Sequence, residues 1–385
     1  MALKFRQAGF SLIELMIAIT LGGVILAGVL GAVLSSKQSY SLQTETSNVQ
    51  ASYRFAMEFL ARDLKLAGYA GCASPYNTSF ANVIADAELD SSAQFTKGSI
   101  VTSNDKAHLL YTDRLGIRAV SGFDEGKIDD SFPSFFDPTV TTGANATDAT
   151  SDAIVVRFGD PDRAMSVKEH DLSSNEFELF EPALVADNAN LLAVSASCRD
   201  VSLFRAGAVT ADTIAYGTTG NCTSVVKANE GGFLNCTESN CTASSCSNPP
   251  TTASAFAPGS TLMPYEAVAF YIQESSVVPA TTALKRTVLS GQNRTTEELV
   301  LGAESLQITY GIDTTPIRDG VVDSFANADD VTDWNRVVSV RFDFLARSME
   351  RVLGAGETQT LADGSSFNDG YLREKISQTV QLRNR

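Results

Sequence analysis

The feature that most constrains this chain is an apolar run close to its N-terminus. From Leu15 to Leu34, twenty consecutive residues carry no charge and most of them are apolar. As an α-helix this run would measure about 30 Å, which matches the hydrocarbon core of a bilayer. The apolar region of a secretory signal peptide is shorter, about 7–15 residues. The run therefore predicts a membrane-spanning helix, and Lys4 and Arg6 before it place the N-terminal end in the cytoplasm.

Glu14 stands at the start of this run, where an ordinary membrane anchor would carry an apolar residue. A carboxylate at membrane depth costs on the order of a few kcal/mol, so such a residue is by default a candidate for a function. An ordinary anchor explains the length and orientation of the run but does not explain Glu14. We therefore expect this carboxylate to meet a cationic partner.

The residues around Glu14 resemble a known N-terminal signature. Residues 9–15, GFSLIEL, are similar to the signature of type IV prepilins and type II secretion pseudopilins. The resemblance implies that a prepilin peptidase of the inner membrane cleaves after Gly9 and methylates Phe10. It also implies that Glu14 pairs with the N-terminal amine of a neighbouring subunit and so sets the register of assembly.

Beyond Lys37 the apolar residues continue at helical spacing, with charged residues on another face. This pattern predicts that the helix continues as an amphipathic segment to about Leu66, where Gly68 and Gly71 mark its end. The residues of the predicted buried face are Val49, Tyr53, Ala56, Leu60, Leu64 and Ala67.

After Cys72 the chain alternates short runs of β-branched and aromatic residues with polar stretches, which predicts an antiparallel sheet. The polar stretches from Ser131 to Asp152 and from Tyr216 to Ala257 are too long for tight turns and are predicted to be surface excursions. The predicted strands cover residues 153–158, 177–180, 201–204, 267–272, 306–310 and 337–342.

The head also resembles one subfamily, the PilW-type minor pilins. The similar segments are residues 68–72, 151–158, 197–204, 310–313, 334–341 and 382–385. The resemblance implies an α+β pilin-like fold, in which a long N-terminal helix packs on a C-terminal antiparallel β-sheet head with long loops. It also suggests a disulfide between Cys72 and Cys198.

Cysteine usage favours an oxidising compartment, because the chain has six cysteines, four of them in one polar stretch. If Cys72 pairs with Cys198, the other four would form two bridges whose pairing the spacing does not decide. They lack the paired spacing of a zinc site. These four are Cys222, Cys236, Cys241 and Cys246.

The chain is expected to have four parts. Residues 1–9 form the leader, 10–34 the membrane or filament-core helix, 35–67 its amphipathic continuation, and 68–385 a periplasmic or extracellular head with a disulfide-bearing insertion around 216–257.

Several other classes of function are disfavoured. The net charge of −16 would repel a nucleic-acid backbone, so nucleic acid is not an expected partner. The sequence shows no catalytic motif, and we expect no cofactor. His108 and His170 are predicted to be surface residues. The acidic run at residues 313–333 lacks the spaced oxygen ligands of a calcium loop and is predicted to be a solvated loop.

The resemblance implies a minor pilin that helps to initiate assembly of a type IV pilus at or near its tip, supporting twitching motility and adhesion. Its expected partners are the prepilin peptidase, the inner membrane, other minor pilins and the major pilin, with a tip adhesin as a further candidate. It would be a single-pass inner-membrane protein with a periplasmic head before joining the pilus. The alternatives are a type II secretion pseudopilin at the pseudopilus tip and a membrane-anchored periplasmic enzyme.

Overall fold

The computed structural model describes residues 11–73, 79–84, 112–113, 116–117, 119–124, 151–218, 220–221, 226, 234–235, 254–291, 293–354 and 356–384. Its first element is the α-helix α1, Leu12–Leu66. Among the described residues α1 is the one helix long and apolar enough to cross a membrane, with a mean hydropathy of 2.5 over an 18-residue window. The predicted long N-terminal helix is confirmed.

The exposure of side chains changes along α1. Every residue from Ser11 to Tyr40 is exposed, including the whole apolar run. Further along, burial follows the helical period, because one face of the helix is apolar and the other is charged. The predicted buried residues are all buried: Val49, Tyr53, Ala56, Leu60, Leu64 and Ala67.

The rest of the described chain consists mainly of β-strands joined by turns and short 3₁₀ segments. The strands are β1 Ser79–Asn82, β2 Thr112–Asp113, β3 Gly116–Ile117, β4 Val120–Phe123, β5 Ala153–Gly159, β6 Met165–Asp171, β7 Glu176–Leu179, β8 Asn190–Val194, β9 Asp200–Arg205, β10 Thr213–Ala215, β11 Leu234–Asn235, β12 Thr261–Glu274, β13 Thr282–Ser290, β14 Asn293–Leu301, β15 Ala303–Ile312, β16 Ser324–Ala326, β17 Val337–Arg351, β18 Gln359–Thr360, β19 Ser366–Phe367 and β20 Tyr371–Gln381.

The larger sheet is organised around β12, which changes partners along its length. Its first residues pair with β6 and β8, and its later residues pair with β5 and β13, all antiparallel. Pro264 lies at the change from β8 to β5, where a residue without a backbone N–H is tolerated. The main strand order is β10-β7-β6-β12-β8-β9-β1-β11, with β4 beside β5 and β14 beside β13.

A second sheet has the order β16-β15-β17-β20, and its β15–β16 and β15–β17 pairs are antiparallel. The predicted antiparallel sheet is confirmed, and all six predicted strands lie within or overlap observed ones. The prediction missed the parallel pairing of β1 with β9 and β11. β1 has only four residues, too few for an alternating pattern to indicate its partners.

By its internal contacts the chain divides into two compact units. The first contains Met1–Ala51 and Arg347–Glu374, where Arg373 binds Asp369 at 2.7 Å. The second contains Ser52–Ala346 and Lys375–Arg385. Its core holds two apolar clusters, one including Tyr265 and Tyr271 and the other including Phe177, Phe204 and Phe256.

The two predicted excursions fall largely outside the described residues, but their described ends are buried. Ser151 and Asp152 end the first excursion, and the Asp152 carboxylate accepts the N–H of Ile308 at 2.6 Å. Tyr216 and Phe256, near the two ends of the second, are also buried. The prediction of surface positions was wrong for these residues because it followed local polarity, whereas their partners lie far away in the sequence.

Candidate functional site

The start of α1 carries the residue that the sequence singles out for assembly. Glu14 is the third residue of the helix, and Ser11 immediately precedes the helix. The backbone N–H of Ser11 donates to Oε2 of Glu14 at 3.3 Å. This is one half of a capping box, in which a Glu at the third helical position accepts the N–H of the capping residue. Gly9 and Phe10 lie outside the described residues.

We did not predict this capping contact from the sequence, although the spacing S-x-x-E before an apolar run usually indicates it. The contact gives the Glu14 carboxylate a local hydrogen-bond donor within the same chain. It supplies no full positive charge, so the expected pairing of Glu14 with a cation stays a prediction.

At the far end of α1 a buried ion pair connects the helix to the sheet. Asp63 is 1% exposed, and its Oδ2 lies 2.7 Å from Nε of Arg286 on β13. The Arg286 guanidinium also lies 5.7 Å from the centre of the Phe59 ring and 3.7 Å from Glu297. In the sequence, Asp63 is a single acidic residue on an otherwise apolar helix face. This irregularity could have indicated a buried ion pair.

A groove of about 580 Å³ opens beside this ion pair. On its wall, Glu266 of β12 forms an ion pair with Arg163, which also binds Asp160 at 2.6 Å. Burial raises the pKa of the Glu266 carboxyl, and the neighbouring Arg163 opposes that rise. The groove carries acidic and basic side chains together, many of them already paired.

The C-terminal residues close the end of α1. Gly68 has a φ of 74°, and its N–H donates to the Arg157 carbonyl at 2.8 Å. The side-chain amide of Asn384 donates to the carbonyl of Lys65 at 3.1 Å and more weakly to that of Ala67. A Cβ on Gly68 would come within 2.8 Å of the Asn384 carbonyl oxygen. Glycine is therefore required here by both conformation and space.

A disulfide joins Cys72, just past this helix end, to Cys198 before β9, across 126 residues of sequence. Their Cα atoms are 5.4 Å apart. The pairing suggested by the resemblance is confirmed. The other cysteines, Cys222, Cys236, Cys241 and Cys246, lie outside the described residues.

Several carboxylates of the acidic run bind the chain itself. The Thr315 hydroxyl donates a hydrogen bond to the Asp313 carboxylate and lowers its pKa, and the N–H groups of Gly320, Thr315 and Asp319 add to this effect. Asp323 accepts from Thr314. Across the part of the chain that the structure describes, no three His, Cys, Asp or Glu side chains form a metal-binding group.

The prediction that His170 lies at the surface was wrong, because this side chain is buried in an aromatic cluster. It stacks on Phe177 with ring centres 4.0 Å apart and contacts the Tyr216 hydroxyl and the Phe256 amide. Phe177 lies directly opposite His170 on the paired strands β6 and β7. His108 lies outside the described residues.

Two protein-family models match the chain, one near its N-terminus and one over its C-terminal part. The family model for the type IV pilus-assembly protein PilW matches residues 269–384, and the model for the prokaryotic N-terminal methylation motif matches residues 4–30. The resemblance to a PilW-type pilin is thus confirmed. None of the curated proteins compared with the chain matches it. A solved type IV-like pilin from Thermus thermophilus is 16% identical, with a TM-score of 0.21, over 31% of this chain and 69% of that one.

Proposed function

We propose that this pilin-like chain is a minor pilin of a type IV pilus, and that it helps to initiate pilus assembly at or near the tip. The observation that carries the proposal is the exposed apolar half of α1 within and beyond the N-terminal methylation motif. Side chains such as Leu21 and Ile25 need lipid or other apolar helices to cover them. Membrane and filament core supply these two environments in turn.

The large size of the head supports the assignment of this chain as a minor rather than a major pilin. The PilW model covers β13 to β20, and more than 300 residues follow the helix. Repeating so large a head along a filament would demand much space around every subunit, whereas a tip position demands it once. Contacts made there with surfaces would support adhesion and twitching motility.

In this proposal the chain occupies two locations in succession. The chain first spans the inner membrane once, with the head in the periplasm, and the prepilin peptidase of the inner membrane processes its N-terminal end. It then joins other minor pilins, the major pilin and a tip adhesin in the pilus on the cell surface. Its role in both locations is structural, with no catalytic step of its own.

Deleting the gene tests this proposal against the pseudopilin alternative. We expect surface pili and twitching to be lost or sharply reduced and to return when the full-length gene is restored. Intact piliation with a block in the export of folded enzymes would instead identify a type II secretion pseudopilin. Normal piliation together with normal export would contradict both functions.

Replacing Gly9 with a larger residue is expected to stop processing. The precursor should then keep its nine-residue leader, and Phe10 should stay unmethylated, because the peptidase is proposed to cleave after this glycine. Mass spectrometry of the membrane-extracted chain measures both changes. Replacement of Gly22 is a matched control, since a Cβ there would meet no atom within 4 Å, and full cleavage of the Gly9 variant would contradict the assignment.

Changing Glu14 to alanine should leave cleavage intact and reduce incorporation into pili at least about tenfold, since hydrogen bonds to charged groups contribute about 1.5–3 kcal/mol. Glu14→Gln is the sharper variant, because glutamine can still accept the Ser11 N–H in a capping box but carries no charge. Immunoblots of sheared pilus preparations should contain less of either variant than of the wild type. Normal incorporation of Glu14→Gln would assign Glu14 to helix capping instead of charge pairing.

A further inference from the structure

The groove beside the last turns of α1 is built from two elements. One wall is α1 itself, which contributes Arg62 and Lys65, and the other is the turn after β5, which contributes Asp162. Its volume of about 580 Å³ lies within the usual range for binding pockets in proteins. Apolar surface in the groove comes from Ala61, Leu66, Phe158 and Pro161. The groove is therefore large enough for a ligand and combines apolar with charged surface.

The buried charges of the groove are already matched within the chain. Asp63 binds Arg286 at 2.7 Å, and Glu266 forms an ion pair with Arg163. The side chains of Asp63, Arg286 and Glu266 are all buried. A ligand would gain little from these groups, so the exposed charges of the two walls decide what the groove can bind.

The exposed charges of the two walls differ in sign. Lys65 and Asp162 are exposed, and neither forms an ion pair in the part of the chain that the structure describes. Arg62 contacts Asp63 through its Nε at 3.2 Å, but its side chain is 56% exposed and can donate to a further partner. Glu58, one turn before Arg62, is the exposed acid of the α1 wall. The α1 wall is therefore positive from Arg62 onward, whereas the turn on the other side is negative.

An exposed aromatic pair extends this surface along α1. Phe55 is 47% exposed, and its ring packs against that of Phe59 with the ring centres 4.8 Å apart. The Arg62 guanidinium lies 4.9 Å from the centre of the Phe59 ring. Aromatic residues and arginine are enriched where proteins bind one another, so this surface is suited to a protein partner.

We propose that this groove binds a segment of a neighbouring pilus subunit, with an acidic side chain of that segment at Arg62 and Lys65 and a basic side chain at Asp162. The inference rests on the proposed function, because assembly into a pilus is what brings another subunit to this head. Arginine binds a carboxylate through strong charge-assisted hydrogen bonds, and Lys65 adds a second positive charge beside it. Charge pairs of opposite sign on the two walls fix the direction and register of the bound segment.

Reversing one charge at a time tests the polarity of the groove. Lys65→Glu and Asp162→Lys each set like charges against the docked segment, so we expect either variant to enter pili at least about tenfold less than the wild type. Immunoblots of sheared pili, normalised to the amount of chain in the membrane, measure this in cells that carry the full-length gene. Normal incorporation of both variants would overturn the proposal.

The double variant Lys65→Glu with Asp162→Lys separates polarity from net charge. Its net charge equals that of the wild type but the signs of the two walls are exchanged, so incorporation should stay low. Recovery to the wild-type level would mean that only net charge matters, and it would rule out a segment of defined polarity. Glu181→Lys and Arg199→Glu are matched controls, because they make the same changes of charge at exposed positions that do not line the groove. They should be incorporated normally, and an equal loss in them would also contradict the proposal.

Two further measurements separate docking from folding and from the proposed function. Urea unfolding of each purified full-length variant in detergent micelles, followed by the fluorescence of Trp334, should give the wild-type midpoint. If a reversal lowers the midpoint, Lys65→Gln and Asp162→Asn remove each charge without reversing it, and both should still reduce incorporation; wild-type levels of both would overturn the proposal. If deletion of the gene leaves piliation intact, the proposed function fails and the docking groove with it. If deletion abolishes pili while both reversals are incorporated normally, only the docking groove fails.

Discussion

Replacing Cys72 and Cys198 together with serine is expected to lower the free energy of unfolding by about 4–5 kcal/mol in the loop-entropy model. The reason is the length of the closed loop, since the bond joins residues 126 positions apart. Without the bond the unfolded chain gains freedom, and the denaturant dependence of unfolding should become steeper as well. Changing both cysteines avoids leaving a free thiol.

Trp334 offers a direct probe for this measurement. It is the one tryptophan of the chain, it is buried, and its ring meets Tyr310 edge-on at 4.8 Å. Urea unfolding followed by its fluorescence in detergent micelles reports on the second unit. Reductant added to the wild type should lower the free energy of unfolding by at least as much as the double variant does, because it also opens the two further bridges predicted among the other four cysteines. A loss below about 1 kcal/mol would contradict a stabilising role of this size.

Periodic features of the sequence predicted much of the fold correctly. The apolar run and the helical spacing from Val49 to Ala67 predicted both the extent of α1 and its buried face. Strand β5 and the start of β17, residues 337–342, are rich in β-branched and aromatic residues, so they could be located from composition. The pairing of Cys72 with Cys198 came from the family resemblance alone, because spacing left several pairings open.

Contacts between residues far apart in sequence could not be predicted in the same way. Asp63 and Arg286 are separated by 223 positions, and nothing near either one indicates the other. The cap that Asn384 makes on the helix end has a separation of 319. The charged neighbours Glu169 and Asp171 indicate an exposed position for His170, but strand alternation places its side chain on the buried face. Such partners depend on the folded sheet and not on local pattern.

Changing Asp63 to alanine is expected to lower the free energy of unfolding by about 3 kcal/mol, at the low end of the range for breaking a buried ion pair. The change leaves the Arg286 guanidinium, whose side chain is 10% exposed, without its 2.7 Å partner. Glu297 at 3.7 Å remains and offsets part of the loss. Arg62 also loses a contact, but its side chain is 56% exposed and water replaces that contact at little cost.

Two further variants test whether the loss of stability comes from leaving a buried charge unpaired or merely from removing an acidic side chain. Glu58→Ala removes an exposed carboxylate from the same helix, so it should change stability by less than about 0.5 kcal/mol. The double change Asp63→Leu with Arg286→Met removes both charges and should cost less than Asp63→Ala alone, because no unpaired charge stays buried. Urea unfolding followed by Trp334 fluorescence measures all three. If Asp63→Ala and Glu58→Ala cost the same, the ion pair does not hold the helix to the sheet.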